Sequence, residues 1–301
     1  MGIIKDLPLI RKNGMYTYEN MDQRPFESLL ESEEIGRHYL VSACWKNSVR
    51  FCIRCRTRRL YRIRRDRYRC SDCGYEFSDF AGRWINRVKL QAKDWLQLIK
   101  LFELETPARR ASQQIGISYP TVLKTFCCIR QSIVAHGQDG DHHLKEEIET
   151  DGRFGDRQDK ARPHQEFRGR IPVFGIIEQD GRVRAEVLRD IRAENILNLA
   201  IEKVHWGSIV YTNKFKGYNG LLFCGYKDLG VDDDLGFTKG DVSINGRHDF
   251  WNFTKERMSK FHGVSKEKFP LYLKEMEFRY NHRHEPIFDT LIQYLCDLTV
   301  T

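Results

Sequence analysis

The 301-residue chain has no apolar run approaching the roughly 20 residues of a membrane-spanning helix, and its first eighteen residues mix charges with short apolar stretches in place of a signal-peptide core. A soluble protein with no membrane partner is the expectation. A disulfide framework is missing as well. Of nine cysteines, Cys44, Cys127, Cys128, Cys224 and Cys296 follow no regular spacing, which favours a reducing, intracellular setting. Acidic residues are scarce in one stretch: residues 50–90 hold thirteen Lys and Arg against four Asp and Glu, a balance of +9, whereas the whole chain carries only +8. The rest of the chain is therefore close to neutral, and one short segment holds the basic character.

That segment contains two cysteine pairs, Cys52-x2-Cys55 and Cys70-x2-Cys73, separated by fourteen residues, with nine arginines from Arg54 to Arg69. Two such knuckles supply four thiolates with the reach to close a tetrahedral Zn2+ site. With every position filled by protein, the zinc would be structural, and a module too short for a hydrophobic core draws much of its folding free energy from it. Buried or disulfide-bonded cysteines are the plainer alternative. Because the arginines coincide with the metal module, Arg54, Arg56, Arg58, Arg59, Arg62, Arg64, Arg65 and Arg67 are candidate contacts to a phosphate backbone rather than a merely solvated face.

The chain reads as an α+β multidomain protein. Residues 1–48 are a mixed leader of unassigned role, in which Phe26, Leu29, Leu30 and the stretch 31–36 suggest a short helix. Residues 49–80 form the zinc ribbon. Within residues 81–140, apolar periodicity predicts a helix over 93–104. From 108 the pattern is a helix with an inward alanine, a turn at Gly116, an N-cap at Ser118, Pro120 in the first turn, and a second helix to about 134. This is a helix-turn-helix pattern, with Tyr119, Thr121, Lys124 and Thr125 as candidate groove contacts at the start of its second helix. A structural helical hairpin has the same pattern. From 146 the pattern becomes α/β: a short strand 147–151, a hairpin of 171–178 with 182–188, a helix 193–204, a strand 208–212 and a patterned helix 246–261. In the last of these, Phe250 and Trp251 read as core anchors. The polar, basic segment 151–170, with Arg153, Arg157, Lys160, Arg162, Arg168 and Arg170, suits contact with a phosphate backbone.

These features, taken in order with Ile115 to Ser118, Glu149-x-Asp151, Pro172-Val-Phe-Gly175, Val210-Tyr-Thr-Asn213, Gly217-Tyr218, Ile244-Asn-Gly246, Phe250-Trp251 with Lys255, and Glu277-Phe-Arg-Tyr-Asn281, resemble zinc-ribbon insertion-sequence transposases of the DDE class, the ISXO2-like and Merlin-related group. The resemblance spans about residues 50–285. It implies a ribonuclease-H-like α/β catalytic domain over 146–295 that gathers an Asp from the first strand, an Asp from the end of the fourth and a Glu from a later helix. Such carboxylates hold Mg2+ or Mn2+ for phosphodiester cleavage and strand transfer. It further implies double-stranded DNA with terminal inverted repeats as partner, a homo-oligomer on that DNA, a phosphate contact at Lys255, and a cytoplasmic, nucleoid-associated location in a prokaryote.

In this chain the positions of the triad are Asp151, Asn213 and His248, 62 and 35 residues apart. Asp151 is the one carboxylate suited to Mg2+. Asn offers a neutral carbonyl oxygen and imidazole suits other metals better. Three readings follow: a copy that folds and binds DNA without cutting it; a site rescued by Asp249 or Asp241, although a helical neighbour points about 100° away; or His248 acting as general base or transition-metal ligand. A non-catalytic DNA-binding protein, repressor or host-recruited factor, is thus the alternative to an active transposase. A zinc-ribbon transcription or RNA factor would leave the α/β half unexplained.

Overall fold

The structure, a computed structural model, describes residues 10–12, 15–17, 23–45, 48–64, 66–138, 147–150, 153–154, 171–177, 182–187, 209–212, 227–230, 245–261 and 264–299. They divide into two compact units, residues 1–133 with 284–301, and residues 134–283. No helix among the described residues is long and apolar enough to cross a membrane.

The first unit opens with an antiparallel pair, β1 (Ile10–Lys12) and β2 (Met15–Thr17). Helices α1 (Gln23–Leu29) and α2 (Glu33–Cys44) follow. Where the sequence suggested one short helix, Ser32 separates two: its hydroxyl accepts from the Ile35 N–H at 3.2 Å, capping α2. The ribbon is a three-stranded antiparallel sheet in the order β3 (Leu60–Arg64), β4 (Arg67–Cys70), β5 (Glu76–Ser78). A 3-10 turn (Trp84–Arg87) leads to α3 (Ala92–Glu103), whose buried stripe of Ala92, Trp95, Leu96, Ile99 and Phe102 follows the helical period. Then come α4 (Ala108–Ile115) and α5 (Tyr119–Gln138), with the unit boundary inside α5. Phe102 of α3 meets Phe126 of α5 edge-on at 5.3 Å.

The last helix, α8 (Phe288–Cys296), packs in this first unit against α2, α3 and the 3-10 turn. The resemblance implies a catalytic domain over 146–295; in the structure, contacts group 284–301 with the first unit. Side chains from other helices cap two helix starts. Glu33 accepts from the N–H groups of Ala92 (2.6 Å) and Lys93 (3.1 Å) at the start of α3, and Glu103 accepts from Ile287 and Phe288, both at 3.0 Å, at the start of α8. Each carboxylate satisfies orphan donors and faces the positive helix end. Beyond α8, the Thr299 N–H reaches the Gly82 carbonyl at 2.8 Å.

The second unit contains β6 (Glu147–Thr150), β7 (Arg153–Phe154), β8 (Ile171–Ile177), β9 (Val183–Val187), β10 (Ile209–Thr212) and β11 (Lys227–Gly230). Strand β10 is parallel to both β6 and β11, with Thr212 opposite Thr150. The expected hairpin forms as the antiparallel β8–β9 pair, with β7 on the other side of β8, and β6 runs beside β8. Helices α6 (Asn245–Met258) and α7 (Phe269–Asn281) complete the described part of the unit. Its core joins Val173, Val183 and Ala185 to Phe250, Trp251, Phe269, Leu273 and Tyr280. Phe250 and Trp251 are thus core anchors, as read from the sequence. The expected helix over 193–204 lies outside the described residues.

Among the described residues strand β9 has a β-partner on one side only, and α7 bonds backbone groups on its other edge. The Val183 N–H donates to Asn281 Oδ1 (2.7 Å), Asn281 Nδ2 donates to the Val183 carbonyl (2.8 Å), and the Ala185 N–H donates to Glu277 (2.8 Å). Unpaired edge groups are costly when half-buried and invite pairing with other chains. The Glu277-to-Asn281 segment therefore has a packing role. Asn281→Ala orphans both Val183 groups, and we expect it to destabilise the protein by about 1–3 kcal/mol; urea denaturation should show a lower midpoint, with Asn281→Asp failing to restore it because the carboxylate cannot donate to the Val183 carbonyl.

Candidate metal centre and nucleic-acid interface

Each cysteine pair sits in the same local turn. The Cys52 carbonyl accepts from the Arg56 N–H and the Cys52 N–H donates to the Thr57 carbonyl, both at 2.8 Å; the Cys70 carbonyl accepts from Gly74 (3.1 Å) and the Cys70 N–H donates to Tyr75 (3.0 Å). The residue after each second cysteine is left-handed, Arg56 at φ 63 and Gly74 at φ 69. Gly74 adopts this freely. Arg56 does so at a cost on the order of 1 kcal/mol, which the surrounding geometry must outweigh.

These turns bring four sulfurs within 4.8 Å of one another. Cys52 to Cys73 is 3.6 Å and Cys55 to Cys70 is 3.5 Å. Four sulfurs at 2.3 Å from a central ion stand about 3.8 Å apart, so the donor set and spacing fit tetrahedral zinc. Cys52 and Cys70 are buried, and Cys55 is exposed. Burial pushes the Cys70 thiol up, but the N–H groups of Cys73 and Asp72, at 3.4 and 3.3 Å from its sulfur, outweigh this and lower it to about 7. For Cys55 the Thr57 backbone lowers the pKa, but desolvation and the three neighbouring sulfurs prevail and push it up to about 12. Four thiols this close resist joint ionisation until a divalent cation neutralises them, so metal binding expels protons and acid weakens it.

Around this centre, Arg54, Arg56, Arg58, Arg59, Arg62, Arg64, Arg67 and Arg69 are all exposed. Arg65 lies outside the described residues. Arg59 pairs with Asp72 at 2.7 Å, an exposed contact of little energetic weight, and Arg69 stands 4.0 Å from Glu76. Arg54, Arg58, Arg64 and Arg67 have no ion-pair partner among the described residues. The sequence reading omitted Arg69, and it missed Tyr61 and Ile63. Their alternation with arginine along β3 reads as a strand with a buried apolar face, yet they are 49% and 42% exposed.

Between α4 and α5 the chain turns at Gly116, left-handed at φ 77, while Ser112 Oγ donates to the Ile117 carbonyl at 2.7 Å. Ala111 is fully buried, as expected. Tyr119 and Lys124 are exposed, and Thr121 is half-buried with its hydroxyl 2.8 Å from that of Ser118. Thr125 is a correction: it is fully buried and its hydroxyl donates to the Thr121 carbonyl, so it faces the helical core. Lys255 is exposed on α6. Asp151, Asn213, Asp156, Asp241 and the basic residues Arg157, Lys160, Arg162, Arg168 and Arg170 lie outside the described residues. The backbones of Glu149, His248 and Asp249 are described, within β6 and α6.

Metal removal tests the ribbon. Burying Phe77 contributes about 2 kcal/mol, against on the order of 10 kcal/mol from a structural zinc. A chelator at pH 7 should release one zinc per chain and open the 54–69 arginines to trypsin while the helical circular dichroism persists. Cys70→Ser should not retain metal, Cys127→Ser should, and lowering the pH should ease release.

Residues 143–281 match the ISXO2-like transposase domain, and residues 31–76 match the transposase zinc-ribbon domain. The second match takes in α2, part of what the sequence reading left as an unassigned leader. An uncharacterized transposase-like protein of Haemophilus influenzae is 36% identical over 101 residues, covering 34% of this chain and 82% of that protein. An uncharacterized protein in the transposable element ISH50 of Halobacterium salinarum is 25% identical over 275 residues, covering 82% of this chain and 90% of that protein. A zinc-compatible ribbon followed by this α/β unit, with relatives of the same kind over most of their length, makes the chain a member of the ISXO2-like, zinc-ribbon transposase family.

Proposed function

We propose that the chain is an insertion-sequence transposase in which the ribbon and the α4–α5 segment bind double-stranded DNA at the inverted repeats of its element, and that this copy has lost strand cleavage. For DNA binding the carrying observation is eight exposed arginines on a metal-clamped ribbon. Phosphates attract such a surface irrespective of sequence. The tight turn at Gly116 and the exposed Tyr119 and Lys124 at the start of α5 support a helix-turn-helix, with Thr121 a smaller contributor. Lys255 would add a phosphate contact from α6.

For the catalytic half, strand order supports a ribonuclease-H-like sheet: the antiparallel β9–β8 pair beside β6, then parallel β10 and β11. Thr150 and Thr212 are register partners ending adjacent parallel strands, and Asp151 and Asn213 are the residues that follow them in sequence. Their donor chemistry does not suit Mg2+ or Mn2+ in the manner of three carboxylates. With Asn213 and His248, a single carboxylate, Asp151, remains, and no step through a catalytic metal is derived. Assembly as a homo-oligomer on two DNA ends and a nucleoid location belong to the same proposal.

The test is cleavage and joining of DNA carrying the element's ends, in Mg2+ and in Mn2+. The chain as it stands should remain at background. Asn213→Asp with His248→Glu should gain activity, and adding Asp151→Ala to that pair should abolish it again. Cleavage by the unaltered chain would sink the loss-of-cleavage proposal and bring His248 or Asp249 into a working centre.

A further inference from the structure

Five large apolar side chains are exposed among the described residues, and two of them, Tyr61 and Ile63, stand two residues apart on β3. Every residue of β3 after Leu60 is exposed. The pairing sorts the two faces of the ribbon. Arg62 is opposite Tyr68, which is opposite the buried Phe77; Tyr68 and Phe77 line the inner face, while Arg62, in the same row, is itself exposed. Tyr61 is opposite Arg69, which is opposite Glu76, and Arg64 is opposite Arg67; these face outward. The β3–β4 register slips between Arg62 and Arg64, leaving Ile63 without a pairing partner. A bulge of this kind twists a hairpin and re-aims its side chains.

A surface serving phosphate attraction alone gains nothing from a tyrosine and an isoleucine held in water. We propose that the outer face of the β3–β4 hairpin enters the major groove of duplex DNA, where Tyr61 and Ile63 touch base edges and Arg67 and Arg69 hold the flanking phosphates. This rests on the DNA-binding proposal above and assigns sequence reading to residues outside the arginine set. The major groove, about 12 Å wide, admits a two-stranded β-ribbon, and the thymine methyl is the apolar feature it displays. Glu76, 4.0 Å from Arg69, belongs to β5, the third strand, which remains outside a groove filled by two. Charge selects the occupant. A second copy of this face would set arginine against arginine, whereas a polyanion complements it.

The experiment uses the full-length, zinc-loaded chain and a duplex that it enriches from a random pool, compared with a scrambled duplex across a salt series. Tyr61→Ser with Ile63→Ser should reduce the enriched-over-scrambled affinity ratio at least about tenfold while leaving the salt slope unchanged. Arg67→Gln with Arg69→Gln should weaken both duplexes and lower the salt slope by about two. Replacing thymine by uracil in the enriched duplex should cost the unaltered chain several-fold and the apolar double variant nothing further. This arm needs no substitution, so it stands even if the variant loses its zinc. An unchanged ratio in the apolar variant together with no effect of uracil, against normal salt-dependent binding, would overturn the base-reading role and leave DNA binding intact. Absence of salt-dependent binding by the unaltered chain would remove both. Altered sedimentation of the apolar variant with an unchanged affinity ratio would make the face a protein contact and overturn the proposal.

Discussion

Four sulfurs within 4.8 Å hold together a segment that would otherwise push itself apart. Nine arginines between Arg54 and Arg69 crowd like charge into one short segment, and like charges repel. The ribbon offers little to oppose this: among the described residues, Cys52, Cys70 and Phe77 are its deeply buried hydrophobic side chains. A zinc bound by four thiolates closes both knuckles at once and carries a net negative charge that attracts the surrounding guanidinium groups. Metal, hairpin and basic surface are thus one physical unit. On the proposed function, the positive charge that suits the ribbon to a polyanion is also what would make its fold lean on a bound metal.

The same unit is anchored to the helices by a compact polar junction. Asp79, after β5, is 4% exposed and pairs with Arg37 of α2 (3.2 Å) and with Arg50 (3.0 Å). Its carbonyl accepts from Trp45 Nε1 at 3.1 Å and from the buried Arg83 at 3.3 Å. Arg83 also donates to the Cys44 carbonyl at 2.7 Å and lies 4.1 Å over the Trp45 ring. Buried charges are costly unless paired and hydrogen-bonded: Asp79 is paired with two arginines, whereas Arg83 donates to backbone carbonyls and its buried Nε has no partner. Sequence alone could not find this junction, since Arg37, Arg50, Asp79 and Arg83 are scattered among many similar residues and only the fold selects them.

On the proposed function, the departures at Asn213 and His248 carry a thermodynamic asymmetry. Clustered carboxylates in an active site repel one another and are costly to fold without metal. Exchanging two of them for neutral side chains removes that repulsion while the core of Val183, Ala185, Phe250, Trp251 and Tyr280 is untouched. Cleavage can therefore disappear without loss of the fold, and DNA binding, seated in the other unit's ribbon and α4–α5 segment, can outlast it.

What the sequence by itself determined was chemistry encoded at short range. The two CxxC knuckles, the turn at Gly116 with its inward Ala111, the β8–β9 hairpin and the core anchors Phe250 and Trp251 follow from spacing and periodicity, which fix local geometry whatever surrounds them. Only the tertiary structure decided which partner each apolar or polar face meets. It placed α8 in the first unit, buried Thr125, capped α3 and α8 with Glu33 and Glu103, set Asn281 against the edge of β9, and left Tyr61 and Ile63 in water. Periodicity shows that a face is apolar, not what covers it, and a carboxylate's sequence position does not reveal which distant N–H groups it will accept.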